Sequence, residues 1–269
     1  MAFNISDFVY ERVIDAYFKE GGTDGNSLLL TQVQGGTLNF SADEKTKVDA
    51  RNTPVATYYE AKAADFSGEN AFFNTDLYAA QAGTKKNIGS TDNKIKTPAM
   101  ETITVAKEGT TVTLANKPVE GSVAEIYTLK NDGTLGTKYT LGSAASATEF
   151  AISDKTITLP TDIAKEGDID IFVVYQYETE NAIEIIDSAK SFPKAGELTI
   201  RVLGHDICDE NTKYEAYYIF PNAKLDPNHD NGTDTDSTQA FSFKAVQKYC
   251  DKKKVLVRYV IPEVMSAKV

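Results

Sequence analysis

Ile169-Asp170-Ile171-Phe172-Val173-Val174-Tyr175-Gln176-Tyr177 is the stretch on which the fold turns. Apolar residues recur at every second position, Ile169, Ile171, Val173, Tyr175 and Tyr177, with Phe172 and Val174 on the alternate face. A helix would need a period of about 3.6 residues, whereas a strand needs two. Large apolar side chains on both faces predict a central strand buried on both sides.

Working outward, the runs Glu197–Leu203, Tyr214–Phe220, Ala240–Val246 and Val255–Ile261 share this β-branched and aromatic character with short interruptions, predicting an all-β second half. On the other side, after Pro98, short runs rich in Thr, Val and Ile are punctuated by Glu108-Gly109, Asp132-Gly133 and Ser153-Asp154, each read as a hairpin turn. Leu28–Phe40 and Thr53–Ala63 also read as extended, and the charged stretch Asp43–Arg51 between them as an exposed hairpin tip.

Two segments carry helical spacing. In the first, Ile5, Phe8, Val9, Val13, Ala16 and Tyr17 follow Asn4 as a cap and precede Gly21-Gly22 as a stop, although 10–17 also reads as a strand. In the second, Asn70–Ala82, Phe73, Leu77 and Ala80 fall on one side and Gly83 terminates. Lys85–Thr97 reads as a polar loop. Closely spaced strands of this kind favour a sandwich or barrel, whose layers bury the alternating faces.

The 269 residues suffice for one large domain or two small ones, and 41% hydrophobic with 25% charged residues is ordinary globular usage. A formal net charge of −11 argues against a phosphate-binding surface. No run of about 18 apolar residues is present to cross a bilayer, and the acidic N-terminal stretch lacks a signal-peptide core, so the chain is expected to stay where it is made. Cys208 and Cys250 are expected to be free thiols.

The densest polar cluster, Asp226, Asn228, Asp230, Asn231, Asp234 and Asp236, begins with the one-three-five spacing of a calcium loop. The match then fails, because Asn231 stands where that loop needs glycine and Ser237 where it needs glutamate. A solvated loop is the expectation. His205 and His229 lack zinc-ligand spacing, and His205-Asp206 reads as a turn after a strand ending at Leu203. Nucleophile-elbow, phosphate-loop and dinucleotide signatures are absent, so no catalytic, cofactor-binding or metal-binding residue is assigned and no enzyme is expected. Lys252-Lys253-Lys254 reads as a solvated turn.

The C-terminal third carries a family resemblance. Tyr217-Tyr218-Ile219-Phe220-Pro221-Asn222-Ala223-Lys224-Leu225, an acidic loop, and Gln239-Ala240-Phe241-Ser242-Phe243-Lys244-Ala245 resemble the major tail tube proteins of long-tailed bacteriophages. There, a strand ending in a Pro/Ala-containing segment precedes a variable loop and a strand of alternating aromatic and polar residues. Gly36-Thr37-Leu38-Asn39-Phe40, with its charged tip and returning strand, resembles the family's long hairpin, and Phe72–Ala82 its packing helix.

The resemblance covers about 1–100 and 178–269, while 101–177 reads as an inserted β-rich module of immunoglobulin-like texture. It implies a mainly β, tail-tube-like sandwich or barrel, assembled into rings, usually of six subunits, whose sheets join between neighbours. It further implies rings stacked into a virion tail tube that genomic DNA traverses without specific binding, assembled in the host cytoplasm. Tail initiator or baseplate, tape-measure and tail terminator proteins are the implied partners, with no cofactor and no membrane. Asp43, Glu44, Lys45, Lys47, Asp49 and Arg51 are the candidate inter-ring contacts. On the residues alone, a capsid decoration or baseplate protein and a carbohydrate-binding β-sandwich adhesin stay open as alternatives.

Overall fold

The computed structural model describes residues 5–23, 25–161 and 163–263. In chain order these form β1 (Phe8–Glu20), β2 (Ser27–Leu30), β3 (Val33–Val48), β4 (Pro54–Asn70), the helix α1 (Thr75–Gln81), β5 (Asn87–Ile88) and β6 (Ile95–Val105). There follow β7 (Thr111–Thr113), β8 (Glu125–Leu129), β9 (Leu135–Leu141), β10 (Glu149–Ser153), β11 (Thr156–Thr158), β12 (Ile169–Thr179) and β13 (Ile183–Glu184). The chain closes with β14 (Ala195–Asp206), β15 (Asp209–Leu225), β16 (Gln239–Ala245) and β17 (Arg258–Val260). The protein is mainly β, and it divides into two compact units: Met1–Lys86 with Ile185–Val269, and Asn87–Glu184.

In the first unit one sheet runs β2-β1-β14-β15-β16-β4-β3, with β17 added to β15. The sheet curls into a nearly closed barrel. Where its ends approach, a Cβ on Gly36 of β3 would stand 2.9 Å from Val13 Cγ2 of β1, so glycine is what permits that closeness. Phe18, Phe66, Phe220 and Phe243 fill the interior with Leu198 and Ile200. Phe18 and Phe243 meet at 5.0 Å between ring centroids. Burial of each such ring stabilises by roughly 1.5–3 kcal/mol.

β1 is a strand along its whole length, and the helical expectation for 5–19 is corrected. Ala16, Phe18 and Glu20 are buried alternately, while register shifts at Tyr10/Arg12 and Val13/Asp15 change the facing of the residues before them. The second helical expectation shortens to α1. Asn74 caps it, its side chain accepting from the amides of Asp76 and Leu77. Gly83, at φ +65°, ends it: the Thr84 amide donates to the Ala79 carbonyl and the Gly83 amide to that of Ala80. Leu77 and Ala80 enter the barrel core.

His205 lies inside β14, which continues to Asp206, so the expected turn begins two residues later, at Ile207. Its Nδ1 lies 2.9 Å from Glu11 Oε1 across the sheet. Cys208 and Cys250 are both free and exposed.

The second unit is built on a sheet ordered β6-β12-β8-β9-β10-β11-β7. β12 is central, paired with β6 on one side and β8 on the other. Ile171, Val173 and Tyr175 are buried, but Val174 on the opposite face is 42% exposed, so the strand is covered on one face only, contrary to the two-sided expectation. Tyr175 donates its hydroxyl proton to Glu101 and accepts from the Asn116 amide at 3.1 Å. The unit begins and ends with the short β5–β13 pairing, Asn87 with Glu184 and Ile88 with Ile183. Its span is therefore wider than 101–177, and β5 and the start of β6 occupy what reads in sequence as the polar loop Lys85–Thr97.

Candidate assembly interface

β3 and β4 are 16 and 17 residues long, and only their sheet-proximal parts alternate in burial. Ala64 and Phe66 face the core, whereas every residue from Asn39 to Ala63 is exposed. Beyond the barrel the two strands continue as an isolated arm, pairing Asp43 with Glu60, Glu44 with Tyr59, Lys45 with Tyr58, Thr46 with Thr57 and Lys47 with Ala56. A two-stranded ribbon with neither face covered is marginal by itself. Its cross-strand contacts are polar: Lys45 bridges to Glu60, and the Thr46 and Thr57 hydroxyls lie 3.3 Å apart.

The arm ends in a defined turn. Asp49 Oδ1 accepts from the Arg51 amide at 2.8 Å and the Thr53 amide at 2.9 Å, with Asn52 at φ +63°. Those bonds, Thr53's foremost, hold the Asp49 carboxyl below the usual aspartate range. At the root, the register slips between Ser41/Ala63 and Asp43/Glu60, and Ala61 sits at φ +51°. This is a bulge, which bends and re-aims the ribbon leaving the barrel.

Of the candidate contacts, Asp43, Glu44, Lys45 and Lys47 lie in paired strand, and only Asp49 and Arg51 lie in the turn. The reading of 43–51 as one tip is thus corrected to the outer half of β3 plus a tight turn; all six residues are exposed and brought onto one projection. Sequence reasoning missed the apolar residues on the same arm: Val48, Val55, Tyr58 and Tyr59 are 51%, 68%, 43% and 69% exposed. Aromatic and β-branched residues in a β-rich chain read as core, and the unpartnered ribbon shows otherwise.

Among the open edges of the barrel sheet are those of β3 and β1. β3 pairs with β4 alone, and β1 meets β2 only from Ala16 to Lys19, leaving Phe8–Asp15 bare on that side. Between these edges lies a cavity of about 520 Å3 bounded by Val13, Gly36, Leu38, Phe66 and Tyr218. At its rim the Tyr10 hydroxyl bonds those of Tyr218 and, at 3.1 Å, Tyr259. Burial raises the Tyr218 and Tyr259 phenols well above the usual tyrosine range, so these two stay neutral.

A family model for YomU/Tube proteins matches residues 8–260, from the first residue of β1 to the last of β17. The chain belongs to the YomU/Tube protein family. Members are phage structural proteins of tube type, and virion components. No curated protein matches the chain.

In this YomU/Tube chain the acidic loop is organised by its own side chains. Asp226 Oδ2 receives Lys244 Nζ at 2.6 Å, and Oδ1 accepts from the Asn228 amide and side chain. Asp226 is held below the usual aspartate range chiefly by Lys244. No cluster of three or more metal-ligating side chains occurs among the described residues. The prominent surface features of this YomU/Tube protein are bare backbone edges and a projecting ribbon.

Proposed function

We propose that this chain is the major tail tube subunit of a long-tailed phage, assembling in the host cytoplasm into closed rings, six to a ring, that stack into the DNA-conducting tube. The observation that carries the reading is the bare outer edge of β3, sixteen residues paired on one side only. Such an edge presents a row of unsatisfied N–H and C=O groups and invites another strand. The bare stretch Phe8–Asp15 of β1 is its complement on a neighbouring copy, and a head-to-tail contact of this kind closes into a ring when its rotation closes. The arm then reaches the next ring with Asp43, Glu44, Lys45, Lys47, Asp49 and Arg51.

The net charge of −11 suits a conduit, since a negative wall repels phosphate and lets DNA slide. Growth starts on an initiator or baseplate complex, its length is set by a tape-measure protein and it ends at a terminator. Negative-stain electron microscopy over a range of protein and salt concentrations tests the reading. Rings or hollow tubes are expected, and solid aggregates or open sheets at every condition would overturn it.

A further inference from the structure

Phe72 and Phe73, in the link between β4 and α1, leave 68% and 56% of their surfaces open, yet their backbone is pinned from inside. The Ala71 amide donates to the Gln32 carbonyl at 3.0 Å, Asn70 Nδ2 to the Phe72 carbonyl at 2.5 Å, and the Asn74 amide to Gln239 Oε1 at 2.7 Å. Asn70 and Gln239 are themselves buried. A link held by buried polar groups presents its rings outward as a fixed shelf. The shelf continues through Tyr78, 5.7 Å from Phe73, to His229, edge-on to Tyr78 at 5.6 Å. Concave surfaces of about 540 and 320 Å3 flank it, one toward the loop Gly232–Thr238 and one toward Thr31 and Gln32.

We infer that this shelf is the receptor for the arm of the next copy, an inference that rests on the tube reading. The chemistry matches on both sides. The arm carries exposed Val55, Tyr58 and Tyr59, and aromatic anchors dominate the energetics of such contacts. Beside the shelf Asp234 and Asp236 form no ion pair among the described residues; on the arm Asp43 and Glu44 form none either, but neither do the cations Lys47 and Arg51, which gives the two shelf carboxylates two partners of opposite sign. Position matches as well: β4 begins in the arm, passes its bulge and ends at the shelf, so one strand with a contour of about 55 Å at 3.3 Å per residue joins donor to receptor. Repeated in one direction, that contact propagates along an axis.

The test uses the full chain with Cys208→Ser and Cys250→Ser, so that introduced thiols are the only ones. One preparation carries Tyr58→Cys or Tyr59→Cys, which lie on opposite faces of the arm, and a second carries Phe73→Cys. After mixing, assembly and mild oxidation, a disulfide-linked dimer requiring both preparations is expected with one of the two arm cysteines. Separately, Phe72→Ser with Phe73→Ser should leave the circular dichroism melt unchanged and reduce tube yield at least tenfold. Tubes that form without any mixed crosslink, or that form undiminished from the double serine variant, would overturn the inference and leave the tube reading standing. Failure of the unmodified chain to assemble in any condition would overturn the tube reading, and the inference with it.

Discussion

Gln239 and Asn74, 165 positions apart, are joined by a 2.7 Å hydrogen bond in which the Asn74 amide donates to Gln239 Oε1. Gln239 Nε2 donates onward to Gln81 Oε1 at 3.2 Å, and Gln81 Nε2 to the Ala240 carbonyl at 2.9 Å. Both glutamines are 1% exposed, so the chain of bonds fastens α1 to β16 inside the protein. Replacing Gln239 by Leu strands the Asn74 amide and the Gln81 oxygen. Each buried unsatisfied group costs about 1–3 kcal/mol. Urea unfolding of Gln239→Leu is expected to show a loss of about 3 kcal/mol, and an unchanged midpoint would refute the network's role.

Gly83 and Gly133 separate backbone strain from crowding. Both have positive φ, +65° and +78°, but a Cβ on Gly83 would fall 2.3 Å from the Phe192 carbonyl carbon, while one on Gly133 meets open space. Gly133→Ala should lose about 1–2 kcal/mol, the left-handed penalty alone. Gly83→Ala should lose at least about 2 kcal/mol more, because main chain must move. Equal losses in denaturant titrations would remove crowding as the cause.

Asp226 supplies a pH dependence of known sign. Its folded pKa is depressed, chiefly by Lys244, so its contribution is present above the ordinary aspartate value of about 3.9 and fades as pH falls through the lower folded value. Asp226→Asn should therefore be less stable than the parent at pH 7 and indistinguishable from it near pH 2. A gap that stays constant over that range would assign the effect to packing.

The arm contributes nothing to the core, since no residue from Asn39 to Ala63 is buried. Joining Ala42 to Ala61 through Asn-Gly in place of Asp43–Glu60 should change unfolding free energy by no more than about 0.5 kcal/mol, as for surface changes generally. Electron microscopy should find rings without tubes. Tubes of normal yield from this variant would exclude the arm from stacking.

β12 was legible as a strand because Ile171, Val173 and Tyr175 recur at a period of two, but its one-sided burial was not, since exposed Val174 is as apolar as its buried neighbours. β1 was ambiguous for a physical reason. Bulges at Tyr10/Arg12 and Val13/Asp15 break the period of two, and the displaced apolar residues fall at spacings that also fit a helix. The arm's true length was hidden because a ribbon with no buried face has no alternation to read. Phe72 and Phe73 were illegible as surface, since exposure of an aromatic pair depends on Gln32 and Gln239, which with the neighbouring Asn70 pin the link from distant parts of the chain.

β3 is charged where it is most naked. Asp43, Glu44, Lys45 and Lys47 stand on the free ribbon, and charges on an edge strand keep identical edges from stacking into fibrils. On the tube assembly proposed above, the residues assigned to ring stacking would therefore also act as gatekeepers before assembly. On that proposal, copies would stay separate when dilute, and growth would be confined to ends where several weak contacts engage together.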